Sequence, residues 1–207
     1  MFITFEGGEG TGKSTQVRLL AGRLRALGKD VLTTREPGGT PEAEALRSLL
    51  VSGAAARWTA NEELLLNFAA RGSHLRSLIF PALKEGKIIV CDRFIDSSYV
   101  YQCLAGGARQ SLFTELVHAV TSDTVPNFTF ILDIDTELSM KRANLRNNIQ
   151  SHVQRADRYE LKGPAFHEKI REGFIELTQT QPKRCHLIDA SGTAEEVCDR
   201  VWTKLNG

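Results

Sequence analysis

The sequence predicts an α/β fold, a parallel sheet of about five strands with helices on both faces, and three observations predict it. Short apolar runs rich in β-formers alternate with stretches of helical spacing, a glycine-rich loop stands directly after the first run, and one long polar stretch breaks the rhythm.

The runs are residues 2–5, 31–34, 88–91, 128–132 and 185–188, each largely apolar and bounded by charge or glycine. Runs of this length without polar alternation suit strands buried on both faces, where a parallel sheet puts them. After the first, Val17, Leu20, Leu24 and Leu27 recur at helical spacing and Gly28 supplies a stop. Before the third, Leu64, Leu65, Phe68, Leu75, Leu78 and Leu83 repeat the pattern up to Gly86, and a later helix is expected over residues 166–177. No repeat, low-complexity block or proline-rich linker marks a boundary, so residues 1–207 read as one domain. Residues 144–163 differ, being polar and rich in Arg, Asn and Gln. A polar insertion of that length in a compact chain is either a working lid or a disordered loop.

Composition narrows the classes. With 26 Lys plus Arg against 25 Asp plus Glu, the formal net charge is +1, so no whole-molecule field points to nucleic acid or an anionic membrane, and any basic site is local. Cys91, Cys103, Cys185 and Cys198 form neither a CxxC pair nor a zinc spacing with histidine, which favours free thiols in a reducing compartment. The apolar start at Met1 is too short for a signal peptide and no run reaches the roughly 20 residues of a membrane span. A soluble, cytoplasmic chain is expected.

Gly7, Gly8, Glu9, Gly10, Thr11, Gly12, Lys13 and Ser14 satisfy G-x-x-x-x-G-K-[ST] between a predicted strand and a predicted helix. Glycines let successive backbone N–H groups converge on phosphate oxygens, and the helix N-terminus adds a favourable partial charge. Lys13 then reaches the terminal phosphates of a nucleoside triphosphate and Ser14 offers a hydroxyl to Mg²⁺. Thr15 reads equally as an α-phosphate contact or as an ordinary first-turn residue. No N-K-x-D-like run is present to read a guanine, and a small α/β chain with a polar insertion suits a small-molecule kinase, which needs a second anion pocket and a means of excluding water.

FEGGEGTGKST, TREPGGT, NFAARGSHL, CDRFIDSSYVYQ and FHEKIREGF follow in that order, and from Phe5 to Phe174 the chain resembles the bacterial thymidylate kinase family. The resemblance implies a three-layer P-loop kinase fold, the reaction of ATP with dTMP to give ADP and dTDP, and a homodimer. Another P-loop nucleoside monophosphate kinase is the alternative. It implies a base over Phe68 with Arg71 donating to a thymine carbonyl; an aromatic face and a donor-only guanidinium suit that task, although the residues alone favour a core Phe beside a solvated Arg. Asp92 and Arg93 fall at the carboxyl end of a predicted strand, where open α/β sheets place their ligands. The resemblance assigns Arg93 to the dTMP phosphate and Asp92 to the metal and reacting phosphates. It further implies that Ser98 and Gln102 bond around the base, that Tyr101 packs under the sugar, that Glu36, Pro37 and Arg47 line the sugar and phosphate, and that Glu9 accepts from the 3′-hydroxyl. Cys103 stands where the family usually has glycine.

Phosphoryl transfer concentrates negative charge between two nucleotides, and removing an arginine placed there costs on the order of a thousandfold in rate. Some family members carry that arginine in the phosphate loop; Gly10 makes this chain similar to those that supply it from the lid. Arg142, Arg146, Arg155 and Arg158 are the candidates, with the resemblance placing Arg142 near the adenine, Arg146 near the transferring phosphate and Arg158, a further catalytic candidate, in the lid's return segment. Residues 188–193 follow the last predicted strand and read either as an adenine border or as a turn in which Ser191 or Thr193 caps a helix.

Overall fold

The computed structural model describes residues 1–54, 56–149, 159 and 162–207, with the backbone alone for 146–149. Five strands form one sheet: β1 (Phe2–Glu6), β2 (Val31–Arg35), β3 (Ile88–Asp92), β4 (Phe128–Asp133) and β5 (Cys185–Asp189), in the order β2-β3-β1-β4-β5. Every pairing is parallel, with Phe5 opposite Asp92 and Phe130, so β3 ends beside the penultimate residue of β1 and β4 runs on past the end of β1 to Asp133. β1 sits centrally and its neighbours lead away in opposite directions, the switch point at which open sheets bind ligands.

All five residues of β1 are buried, which a strand covered on both faces requires. Ile3 and Phe5 pack with Phe130 and Ile188 against α1 (Lys13–Ala26) and, later in the chain, α9 (Ala194–Asn206). Phe2 points the other way, into a cluster with Leu75, Ile79 and Phe94. The polar side chains Thr4 and Thr129 sit inside the sheet and satisfy one another at 2.9 Å, so burying them leaves no hydroxyl unpaired.

Between β2 and β3 run α2 (Pro41–Val51), α3 (Ala60–His74), a run of wider π-type turns over Leu75–Ile79, and α4 (Phe80–Lys84). The single helical pattern expected up to Gly86 is therefore one helical path interrupted just before Pro81, whose missing N–H and ring the wider turns accommodate. Thr59 and Glu62 close a reciprocal cap at the start of α3. After β3 come the short α5 (Ile95–Ser98), π-type turns over Tyr99–Ala105, and α6 (Gln110–Thr121). Cys103 lies in those turns, buried and without a positive φ, so its backbone there does not need glycine. α7 (Thr136–Ile149) and α8 (Pro164–Thr180) complete the chain around β4 and β5. α7 carries the first residues of the stretch expected to be a polar insertion: Asn, Arg and Leu are compatible with a helix, and polarity alone did not mark its end.

Candidate active site

Each strand continues one residue past its predicted apolar run and ends on a charge: Glu6, Arg35, Asp92, Asp133 and Asp189. The sheet's carboxyl edge is thus where the apolar pattern stops and the chemistry starts. From β1 the chain enters the loop at residues 7–12, which is closely fitted to its surroundings. A Cβ on Gly7 would lie 2.6 Å from the Leu132 carbonyl oxygen, and one on Gly10, at φ +73°, would collide with the Ser139 carbonyl oxygen in α7. Lys13 turns back over this loop and donates to the carbonyls of Gly7 at 3.1 Å and Gly8 at 2.6 Å. Burial, with the Arg93 guanidinium nearby, pushes its ammonium down to about 8. Ser14, at the start of α1, donates to Asp92 Oδ2 at 2.5 Å, joining the loop to the end of β3.

Arg93 follows Asp92 in a left-handed conformation, φ 71°, a position disfavoured for a side chain this large. Its guanidinium donates to the Gly7 carbonyl (3.1 Å), Ser97 Oγ (3.0 Å), Glu9 Oε1 (2.7 Å) and Tyr101 OH (3.2 Å), while Tyr101 OH donates to Glu9 Oε1 at 3.0 Å. Burial opposes the charge on Arg93, but Tyr101, Glu9, Asp92 and Glu6 outweigh it and hold the group above its ordinary range. Burial likewise raises the Tyr101 phenol well above its usual value, so it stays a donor.

At the other end of the same cleft, Arg71 is 2% exposed. Its Nε donates to Glu36 Oε2 at 2.8 Å and its Nη2 to the Phe94 carbonyl (3.1 Å) and Ser98 Oγ (3.0 Å), whereas Nη1 has no hydrogen-bond partner among the described residues. Glu36 also meets His74 Nδ1 at 3.0 Å, and Arg47 Nη1 donates to the Pro37 carbonyl at 2.9 Å across a cis Glu36–Pro37 bond. A buried donor with nothing to donate to normally costs about 1–3 kcal/mol, so Arg71 Nη1 is the clearest sign that this cleft awaits an acceptor.

One buried carboxylate holds both arginines in place. Glu6 Oε1 accepts from the backbone N–H groups of Phe94 (2.7 Å) and Ser97 (3.2 Å), and Oε2 accepts from Ser97 Oγ (2.5 Å). The segment it grips supplies Ser97 to Arg93 and the Phe94 carbonyl and Ser98 to Arg71. Burial, then the neighbouring Asp96, pushes Glu6 up to about 8 against the pull of these hydrogen bonds. Asp96 is itself tied to Arg184, which donates to both its carboxylate oxygens at 2.8 and 2.7 Å and to Thr129 Oγ1 at 2.9 Å.

With a phosphate loop facing an arginine-walled cleft, the comparisons with known proteins decide the family. The thymidylate kinase family model matches residues 5–201. The chain belongs to the thymidylate kinase family. It is 49% identical to a thymidylate kinase of Caulobacter vibrioides over 95% of this chain and 91% of that one, and 44% identical to a thymidylate kinase of Afipia carboxidovorans over 99% and 88%. A crystal structure of thymidylate kinase from Ehrlichia chaffeensis superposes with a TM-score of 0.78 at 33% identity, covering 99% of this chain and 98% of that one.

Against the thymidylate kinase pattern, the structure brings Glu9, Glu36, Pro37, Arg47, Arg71, Arg93, Ser98, Tyr101 and Gln102 around one cleft. Phe68 is the exception. It is 1% exposed, packs with Leu64 and Cys103, meets the Phe113 ring at 5.8 Å and carries the Arg71 guanidinium on its own ring at 4.5 Å. Its face is covered, and Asn67, one residue earlier, lines the cleft instead. Arg142 donates to the Ala190 carbonyl at 3.3 Å, on the turn after β5, where Thr193 caps α9 with Glu196. The capping reading of residues 188–193 therefore holds. Arg146 belongs to α7, and its side chain together with Arg155 and Arg158 lies outside the described residues.

Glu6, Asp96, Arg184, Glu63 and Tyr159 went unread in the sequence. Glu6 and Asp96 stood inside quoted motifs, but a charge beside a strand carries no mark of what it grips until the segments pair. Gln102 Nε2 donates to Glu63 Oε2 at 3.0 Å and to Tyr159 OH at 3.2 Å, and Tyr159 OH donates to the same Glu63 oxygen at 2.8 Å.

Proposed function

We propose that this chain, acting as a single unit, transfers the γ-phosphoryl group of ATP to the phosphate of dTMP and so supplies dTDP for nucleotide synthesis. The observation that carries the choice of acceptor is the unpartnered, buried Arg71 Nη1 in a cleft whose opposite end holds Arg93. A donor-only group fits the O4 carbonyl of thymine and rejects the amino group that cytosine has there. Tyr101 and Glu9, bonded to each other and to Arg93, stand between those ends where a sugar would lie. In this reading Ser98, Gln102, Glu36, Pro37 and Arg47 complete the acceptor wall, while Gly7 to Ser14 take the ATP phosphates and Arg142 borders the adenine.

Lys13 exchanges its loop carbonyls for phosphate oxygens, and Arg93 holds the acceptor phosphate in line. That phosphate is already an anion, so no strong general base is needed. Mg²⁺ fits the pair formed by Ser14 and Asp92, two hard oxygen ligands in contact, because this ion takes one or two protein oxygens and completes its shell with phosphates and water. Bound there, it would neutralise charge on the phosphates. Among the described residues no cluster of three acidic, histidine or cysteine side chains offers an alternative all-protein site.

A homodimer carries over from the family resemblance and a cytoplasmic setting is read from the four free cysteines, and solution mass tests the first. No described helix is long and apolar enough to cross a membrane, and a net charge of +1 gives nucleic acid no general attraction. The deciding experiment is ADP release from ATP with dTMP, dUMP, dCMP, dGMP or UMP as acceptor. Strong stimulation by dTMP is expected, whereas turnover indifferent to any added monophosphate would reject the assignment.

A further inference from the structure

Asn67 and Phe68 adjoin on α3, yet the fold separates them. A helix advances about 100° per residue, so the two directions flank that of Arg71 by about 40° and 60° on opposite sides. Packing against Phe113 and Cys103 takes Phe68 into the core and leaves Asn67, half-buried, on the cleft wall with Arg71, Ser98 and Gln102.

Two observations fix what Asn67 offers there. Its Nδ2 donates to the Glu63 backbone carbonyl at 2.8 Å, and a reversed amide would set oxygen against oxygen, so Oδ1 is the atom turned away from the helix backbone. Four residues on, Arg71 Nη1 is a buried donor without a partner. One helical face thus presents an acceptor and a donor to the same cleft.

A pyrimidine joined to its sugar through N1 and carrying a carbonyl at C4 shows the complementary pair, the N3–H donor beside the O4 acceptor. Cytosine shows the reverse, an acceptor at N3 beside a donor at N4. We propose that Asn67 Oδ1 accepts the N3–H of the bound base while Arg71 Nη1 donates to O4, so that Asn67 is a specificity-determining residue that excludes cytosine. The assignment rests on the dTMP reading above. Gln102 is the other amide on the cleft wall; with its Nε2 held by Glu63 and Tyr159, its Oε1 is the rival acceptor, and Gln102→Leu separates the two.

Calorimetric titration of the full chain with dTMP, dCMP and 3-methyl-dTMP, in which a methyl replaces the N3 hydrogen, tests this. Asn67→Leu should weaken dTMP about tenfold and shrink the preference for dTMP over both dCMP and 3-methyl-dTMP by a similar factor, with an unchanged melting temperature. Asn67→Ala serves if Leu disturbs the fold. Phe68→Leu should lower the melting temperature and leave both preferences intact. An unchanged preference over 3-methyl-dTMP in both Asn67 variants, or its loss in Gln102→Leu instead, would overturn the proposal. Wild-type protein that binds no dTMP would sink the acceptor reading itself, a different and separable result.

Discussion

The acceptor wall and the phosphate loop face each other across the sheet's carboxyl edge, and they are held in opposite ways. On the acceptor side, Arg71 and Arg93 are aimed by groups from other elements: Glu36, Ser97, Ser98, Glu9 and Tyr101, with Glu6 gripping the segment behind them. On the donor side, Lys13 is occupied by the carbonyls of its own loop, and α7, which covers that loop at Ser139, leaves Leu138 and Leu145 exposed and shows no continuous apolar face. The wall is organised before a nucleotide arrives, so little of its binding energy is spent on ordering arginines. The loop must exchange partners, so its charge is delivered only once phosphate is present.

That contrast is broken most directly through the lid. If the donor side is completed by an arginine from the end of α7 or beyond it, then one of Arg146→Ala, Arg155→Ala and Arg158→Ala should lose on the order of a thousandfold in kcat while its melting temperature stays put. Gly10→Arg should fail to restore activity, because any Cβ at that position meets the Ser139 carbonyl. Steady-state kinetics with dTMP and ATP checks both, and three lid variants with wild-type kcat would falsify lid catalysis.

Glu6→Gln attacks the acceptor side at its root and should have an intermediate effect. The variant keeps the shape and an acceptor for the Phe94 and Ser97 N–H groups but sets an amide NH2 where Oε2 accepts from Ser97 Oγ, so dTMP should bind about tenfold more weakly while ATP changes less than twofold. Equal weakening of both would mean that Glu6 supports the whole edge and not the wall. The same carboxylate predicts a pH signature. Its folded value is raised from 4.5 to about 8 by burial and Asp96, so the folded state holds the proton more tightly than the unfolded chain. That contribution is complete below pH 4.5 and is lost as pH rises toward 8. Denaturant melts should show wild type falling relative to Glu6→Gln across that window.

The unequal legibility of the two halves has a physical cause. All five strands could be read because a strand covered on both faces must be apolar throughout, and each expected run stopped one residue short because the last position faces the site and is charged. The phosphate loop was readable because its glycines are fixed by close approach to Leu132 and Ser139. Phe68 and Asn67 were not separable, since both lie within 60° or so of Arg71 and only the arrival of α6 decides which one is covered. α7 escaped because a helix with no apolar stripe leaves no period to detect.

Tyr159 offers the finest test, because it asks to which half the far end of the polar stretch belongs. Its hydroxyl joins Gln102 and Glu63 on the acceptor wall and its ring meets Tyr101 edge-on at 5.7 Å, so by contact it is part of the wall although it falls within the polar stretch expected to form the lid. Tyr159→Phe deletes the hydroxyl and keeps the ring. Glu63 and Gln102 keep each other, so the loss is the two hydrogen bonds of the hydroxyl, each about 0.5–1.5 kcal/mol, and not an orphaned carboxylate. The KM for dTMP should rise about threefold, with the KM for ATP and kcat nearly unchanged. A fall in kcat at constant dTMP affinity would instead assign Tyr159 to the donor side, and the boundary between the preformed wall and the nucleotide-dependent half would have to be redrawn between Tyr159 and Gln102.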